Sequence, residues 1–539
     1  MTTEPGDTDT DVDVDVLVVG AGPGGLQLAH ELQAAGIDHL VVDGADAPGS
    51  FFRRYPRHRQ LISINKHAGH EPDPARRRRV DWNTLLTDDP ALQFTRYGTD
   101  YFPPADLMVR YLGDFAARRQ LRVDHGRRVT AVEHEAGAFT VAFDGNGDGD
   151  DHGGARGRPL RARRVVLATG VVPHEPAIPG IELAERYADF AVDPAGFRDA
   201  RVLVIGKGNS GFETAASLIP TAAAIHIVSP SPVRFAWATH HVGHLRAVNN
   251  ELLDTYHLKS GNAVLDAEVT GIRRDGRGYQ VDLAYTHAAG QRVTYRYDRV
   301  VAAAGFRFDG RPLGELSPER RRAGRLPDMT PDYRSPSQPG LYFAGTLMQA
   351  RDHGRTASGF IHGFRYNVRF LAKVLRAGGA APPADAAHPA DPERLARFVL
   401  ARIDRSDALF LQPGYLADAF VLRGAGLALA HHADVPLDWV RAGGLGTGWR
   451  LAVTLEYGPR APDPFNIARS PDPGYAKVTP YLHPVVRLLH GEGSEEVDRL
   501  DLLEDVDNRY HPARYLPHLV PFLRAALASV PARHPPLSQ

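Results

Sequence analysis

The chain of 539 residues contains no cysteine. That absence excludes structural disulfides, thiolate metal sites, a cysteine nucleophile and any redox-active dithiol of the chain's own. If the protein does redox chemistry, a bound cofactor must carry it. An excess of either charge is also missing. Lys+Arg 63 nearly cancels Asp+Glu 64, for a net charge of −1, so no overall field draws the chain toward nucleic acid or an acidic membrane. Lysine is scarce, present only as Lys66, Lys207, Lys259, Lys373 and Lys477 among the 63 basic residues. No apolar run approaches the ~20 residues that cross a bilayer; the longest are strand-like runs such as residues 165–168. Glu4, Asp7, Asp9, Asp11, Asp13 and Asp15 make the N-terminus acidic where an export signal would be basic and then apolar. With 43% hydrophobic and 24% charged residues, the expectation is a soluble, cytoplasmic enzyme of about three or four domains.

What is present begins at residue 16. Val16-Leu17-Val18-Val19 leads into Gly20-Ala21-Gly22-Pro23-Gly24-Gly25, which reads as a buried strand, a tight turn and a helix start. In this pattern Gly20 permits the turn, Gly22 lets the backbone approach a pyrophosphate, and Gly25 lets the helix pack on the strand with its first amides facing the phosphates. A helix over 26–35 ends at Gly36 and a second strand covers 39–42. Asp43 then stands 18 residues after Gly25, where a ribose-binding carboxylate belongs. The design recurs in an apolar run at 202–205, Gly206-Lys207-Gly208-Asn209-Ser210-Gly211, a helix over 212–219 and a strand over 225–228.

Counting the same 18 residues from Gly211 lands on Ser229, with Ser231 and Arg234 just beyond. A carboxylate there would hydrogen-bond a ribose 2′-hydroxyl and repel a 2′-phosphate, whereas hydroxyls and a guanidinium accept the phosphate. The arithmetic assigns FAD to the first unit and NADPH to the second. The plain alternatives are a glycine-rich turn in an unrelated α/β fold and a solvated loop arginine at 234. Two further strands, over 164–170 and 298–305, end in small-residue turns suited to interdomain crossings, and one over 340–346 is placed to return to the first unit. The expected fold class is α/β, with two Rossmann-like dinucleotide-binding domains and an α+β C-terminal region.

The first glycine motif, Gly208-Asn209-Ser210-Gly211, Leu167-Ala168-Thr169-Gly170, Ile62-Ser63-Ile64-Asn65-Lys66, Phe102-Pro103 and Tyr111-Leu112 together resemble the class B flavoprotein monooxygenases, which include flavin-containing, N-hydroxylating and Baeyer–Villiger enzymes. A closer likeness runs through residues 49–59, Asp81-Trp82-Asn83, Trp237-Ala238-Thr239-His240 and residues 359–366. It is to the FAD-dependent oxidoreductase domain-containing proteins of the endoplasmic reticulum and their bacterial amino-acid N-hydroxylase-like relatives. The monooxygenase fingerprint F-x-G-x-x-x-H-x-x-x-[FY] falls on Tyr187, Asp189, Asp193 and Phe197, and only the last position matches.

The resemblance implies an NADPH- and FAD-dependent monooxygenase. It would work through a flavin C4a-hydroperoxide, most simply N-hydroxylating a small amine or amino acid with O₂ in a biosynthetic pathway. A reductase or oxidase that passes electrons elsewhere without monooxygenation is the rival enzyme reading, and a cofactor-sensing binding protein the rival outside enzymes. Beside the first glycine motif and Asp43, the expected cofactor contacts are Gly44, Phe51, Phe52, Arg53, Ser63, Asn65, Val129, Ala168, Thr169, Gly170, Gly345, Thr346, Gly359 and Phe360. Asn65 is the expected catalytic amide, near the flavin and the nicotinamide, although an Asn capping a turn would look the same.

Candidate substrate contacts are His240, Arg351, Asp352 and His353, the last three being equally suited to satisfying a helix end. His240, His241 and His244 have spacings that could hold a metal, but no carboxylate joins them, so no metal is expected and the segment reads as a loop near NADPH or substrate. Arg76 to Arg79 read as a solvated charge run and residues 144–154 as a surface hairpin loop. The domain plan is an FAD domain of 14–185 and 300–375, an NADPH domain of 186–299, a linker of 376–393 and a C-terminal domain of 394–539. In that last domain, 395–403 and 415–422 read as helices and 449–455 as a strand. A homodimer contact there is left open, and neither nucleic acid nor membrane is expected as a partner.

Overall fold

The computed structural model describes residues 12–144, 157–259, 261–422, 428–463 and 465–530. β1 (Val14–Val19) is buried along nearly its whole length because parallel neighbours flank it on both sides, β2 (His39–Asp43) and β3 (Leu160–Leu167). Its β-branched run suits a strand covered on both faces. α1 (Pro23–Ala34) opens with proline, whose fixed φ suits a first turn, and its N-cap Gly22 supplies no side-chain cap. The first sheet runs Val123–His125, β2, β1, β3, Ala138–Phe143, Val129–Glu135.

The second sheet repeats the plan. β4 (Arg201–Ile205), β5 (Ala224–Ser229), β6 (Ala263–Asp275) and β7 (Arg299–Ala302) stand in the parallel order β6-β5-β4-β7, with α2 (Asn209–Leu218) crossing from β4 to β5. An antiparallel meander of Gly278–Tyr285 and Arg292–Tyr297 extends it beyond β6. The chain then returns to the first sheet as β8 (Leu341–Phe343), parallel to the end of β3. α3 (Ile361–Arg376), buried over most of its surface, packs against α1.

A third, antiparallel sheet follows, in the order Ala386–His388, β10 (Leu429–Pro436), β9 (Leu416–Val421), β11 (Arg450–Tyr457), β12 (Leu482–His490), Glu495–Asp501. α4 (Pro392–Arg405) and α5 (Pro512–Ala528) pack together beside it. β9 corrects the helix expected over 415–422. The segment pairs on both edges, with β10 and β11, and those ladders override the helical preference of its Leu and Ala. Part of the expected linker, Ala386–His388, is an edge strand, and Asp385 just before it takes the Lys373 ammonium at 2.7 Å.

Arg76 to Arg79 are not a solvated run. Arg76 donates to the Asp404 carbonyl at 2.7 Å and the Asp507 carbonyl at 3.1 Å. Arg78 pairs with Asp407. Arg79, 5% exposed, donates to the carbonyls of Ile403 at 2.8 Å and Ser406 at 3.2 Å and lies over the Phe410 ring. The run clamps the C-terminal sheet domain onto the first unit. The hairpin expected at 144–154 falls almost wholly outside the described residues.

At the centre of the third sheet Asp418, 1% exposed, binds Arg402 at 2.9 Å, and Arg402 reaches on to Asp434 at 2.9 Å. Burial pushes the Asp418 carboxyl up, but Arg402 and His431 outweigh it and hold its pKa well below the ordinary value. A depressed folded-state pKa contributes stability above the unfolded value of about 3.9, and that stability is lost as pH falls. Asp418→Asn is expected to cost about 3 kcal/mol near pH 7, read from urea midpoints, with the gap to wild type shrinking below about pH 4.

Candidate dinucleotide cavity

The first glycine turn is fixed by close backbone approach. Gly20 has φ +112°, and a Cβ on it would lie 2.6 Å from the Ala168 carbonyl oxygen. On Gly25 a Cβ would lie 1.9 Å from the Gly20 oxygen, whereas at Gly22 nothing stands within 4 Å. The turn is therefore tight where strand and helix pack and open where a phosphate would approach the uncapped amides of α1. Asp43 closes β2 with its carboxylate accepting from the Ala21 and Ala45 amides at 2.6 and 2.7 Å, beside the turn as a ribose-binding acid requires. These residues fit the adenosine and pyrophosphate of FAD.

A cavity of about 1010 Å³ opens from this turn, at the upper end of the roughly 300–1,000 Å³ usual for small-molecule sites. Its wall brings together Gly20, Gly22, Pro23, Gly24, Asp43, Gly44, Phe51, Phe52, Ser63, Val129, Ala168, Thr169, Gly170, Gly345, Thr346, His353, Gly359 and Phe360. Sequence reasoning did not assign Asn83, Gln349 and Gly243 to that wall, while His241 reaches it from the loop expected near NADPH or substrate. Asn83 lay in plain sight in Asp81-Trp82-Asn83, and its amide donates to the Ile64 carbonyl at 3.0 Å, which ties it to the segment carrying Ser63.

Other expected residues stand elsewhere. Asn65 is 3% exposed and off the cavity wall; its amide donates to the Gly98 carbonyl at 2.8 Å, which is the turn-holding alternative. Gly25 packs beneath the turn. Arg53 points to solvent and pairs with Asp46 at 2.6 Å. Arg351 is turned to the C-terminal domain, donating to Asp438 at 2.9 Å and to the Met329 carbonyl at 2.7 Å. Asp352 is buried and accepts from Thr356 and the Ser358 amide; burial raises its pKa to about 7. His240 stacks on Tyr457 of the C-terminal domain, ring centroids 4.1 Å apart.

The second glycine turn has the same build. Gly206 has φ +121°, with a Cβ 2.2 Å from the Ala303 oxygen, and a Cβ on Gly211 would lie 2.0 Å from the Gly206 oxygen; Gly208 is open. α2 has no side-chain cap. Ser210 lies in its first turn, and Ser229, Ser231 and Arg234 follow the end of β5. The Ser229 hydroxyl donates to the Ser231 carbonyl at 3.2 Å, and Arg234 is exposed, with no carboxylate partner among the described residues. Asn209 ties this turn to the histidine loop: its amide nitrogen donates to the His244 carbonyl at 2.8 Å and its oxygen accepts from the Arg246 amide at 2.9 Å. That loop carries His241 and Gly243 to the cavity wall. Among the described residues no group of three His, Cys, Asp or Glu could hold a metal ion, and no helix is long and apolar enough to cross a membrane.

Two glycine turns of one design, on two sheets with parallel cores, define a flavin-dependent oxidoreductase of the two-Rossmann-domain kind. Residues 17–345 match the family model for pyridine nucleotide-disulphide oxidoreductases, and the chain belongs to that family. It is also 34% identical over 538 residues to the FAD-dependent oxidoreductase domain-containing protein 2 of Mus musculus, a match covering 92% of this chain and 77% of the relative. Among solved structures, bacillithiol disulfide reductase Bdr from Bacillus cereus is similar with a TM-score of 0.51 at 20% identity, over 68% of this chain and 99% of that one. The ornithine N-hydroxylase of Kutzneria sp. 744 is similar with a TM-score of 0.50 at 20% identity, over 68% and 100%. Those two structures share the fold, which hosts more than one chemistry.

Gly25→Ala is expected to lower flavin retained on purification by about tenfold or more, since overpacking a site this close costs about 1–3 kcal/mol. Gly206→Ala is expected to leave flavin content unchanged. Flavin absorbance per protein in the two variants checks both.

Proposed function

We propose that the protein is an FAD- and NADPH-dependent monooxygenase that N-hydroxylates a small amine or amino acid. The observation that carries this reading is the single cavity that starts at the first glycine turn and ends on the histidine loop tied by Asn209 to the second turn. Both nucleotide units thereby border one space. When bound, FAD supplies hydride acceptance from NADPH and activation of O₂. The chain has no dithiol to receive the electrons, so they leave through a diffusible acceptor. Phe51, Phe52, Leu61, Met108, Leu326 and Phe360 give the wall its apolar part and keep water from the reacting groups. Asn83, Gln349, His241 and His353 are the polar points that would orient a substrate amine. Ser229, Ser231 and Arg234 would hold the 2′-phosphate of NADPH.

The test is the fate of electrons in the flavin-loaded protein. NADPH consumption and H₂O₂ release are followed in oxygenated buffer with and without a panel of primary amines and amino acids. An accepted amine is expected to suppress H₂O₂ in proportion to hydroxylamine formed. Stoichiometric H₂O₂ with every amine, or turnover only with an added quinone or disulfide, would overturn the reading in favour of an oxidase or reductase. Arg234→Ala is expected to raise KM for NADPH about 10- to 100-fold, as loss of a charged hydrogen bond does, while leaving KM for NADH nearly unchanged in steady-state assays.

A further inference from the structure

Two imidazoles, His241 and the exposed His353, stand on the cavity wall with His244 packed edge-on against His241, ring centroids 4.8 Å apart, and their hydrogen bonds fix which nitrogen carries the proton. His241 Nδ1 lies 3.0 Å from the Thr356 carbonyl oxygen. A carbonyl only accepts, so Nδ1 is the N–H and Nε2 bears the lone pair. His353 Nδ1 lies 3.3 Å from Gln349 Oε1; the Gln349 amide nitrogen donates to the Thr346 carbonyl at 2.9 Å, which fixes its oxygen toward His353. Behind them, His244 Nδ1 lies 2.6 Å from Thr239 Oγ1. That hydroxyl already donates to the Phe235 carbonyl at 2.9 Å, so His244 too is the donor there. His241 and His353 line the cavity, and Gly243 packs against His241 Nε2, where a Cβ would approach to 2.5 Å.

We propose that His241 and His353 each present an unprotonated Nε2 as a hydrogen-bond acceptor for an N–H donor bound in the cavity. The donor is the amino group of the substrate or the carboxamide of the nicotinamide. The first source rests on the N-hydroxylation reading; the second needs only the nucleotide.

The surroundings keep the rings neutral. Burial lowers the His241 and His353 pKa values, and His244 is pushed down to about 4 by burial and then by His241, Arg234 and Arg460. Arg322 and Arg325 add to the effect at His353. Asp352, next to His353 in the chain, is engaged by Thr356 and by the Ser358 amide, and Asp309 on the cavity wall is paired with Arg311 at 2.5 Å. A neutral imidazole on the wall, its Nδ1–H already engaged, accepts from an N–H donor.

The experiment compares His241→Asn and His241→Gln in the flavin-loaded protein. Asparagine places its amide nitrogen where Nδ1 stands, keeping the anchor to Thr356 but removing the acceptor. Glutamine reaches the Nε2 position and can restore an acceptor oxygen. Two quantities are read: KM for the accepted amine, and the NADP⁺ dissociation constant from perturbation of the flavin spectrum. His241→Asn is expected to weaken one of them about 10- to 100-fold, with recovery in His241→Gln. Loss confined to the amine KM assigns the substrate as donor, and loss confined to NADP⁺ binding assigns the carboxamide. Unchanged values in both, or equal losses in Asn and Gln variants with lowered melting temperature, would overturn the proposal. If the wild type accepts no amine yet His241→Asn still weakens NADP⁺, the hydroxylase reading fails and this one stands.

Discussion

Gly24 and Gly345 touch so closely that a Cβ on the former would lie 2.5 Å from the Cα of the latter. Everything else in the nucleotide-binding part depends on that contact. The chain leaves the first sheet after β3, builds a second complete sheet, and re-enters as β8 beside β3. It closes against the first glycine turn only because neither backbone carries a side chain there. The residues that follow β8 then run along the cavity wall, through Thr346, Gln349, His353 and Phe360, before α3 packs on α1. Without that approach the cavity would have no far wall.

The glycine turns were legible in the sequence because their constraints are local. Positive φ, strand–helix proximity and an open central glycine each demand a residue type at a fixed offset. Asp43 followed from the same counting. Asn65 did not, because residues 60–85 are mostly irregular and nothing in their spacing says which loop amide faces the cavity; the wall amide is Asn83. Arg351 and the run at 76–79 were visible as charge, but their partners Asp438, Asp404 and Asp407 lie far along the chain in the third sheet's domain. β9 was hidden for a related reason. Leu-Ala-Asp-Ala-Phe-Val carries no decisive period, and only its two neighbouring ladders make it a strand.

Beside the arginine clamp and the Arg351–Asp438 pair, contacts between the units gather around two further places. Tyr55 stacks on Tyr187, and Arg57 donates to the Phe190 carbonyl at 2.8 Å, which joins the first and second sheets' domains near α2. There Tyr187 donates to Glu213 at 3.1 Å, and burial raises that carboxyl to about 7. The second place lies around residues 357–358 and the histidine loop. Gln412 accepts from the Ala357 amide at 2.9 Å and donates to Ser358 at 2.8 Å, while Tyr457 stacks on His240. The C-terminal domain thus grips the wall segment of the first unit and the histidine loop of the second together.

The arginine clamp at 76–79 differs from an ordinary ion-pair interface in what it asks of its partner. Arg76 and Arg79 bind carbonyl oxygens of Ile403, Asp404, Ser406, Asp507 and Asn508, and every amino acid brings a carbonyl. At those carbonyl contacts the requirement for specific residues falls on one side only, whereas Arg78 also needs the carboxylate of Asp407 and Arg76 that of Asp404. Where a carbonyl receives the guanidinium group, as at Ile403 and Asp507, the side chain is free to drift while the backbone path holds, so that this part of the joint is set by chain geometry and the rest by matched charges.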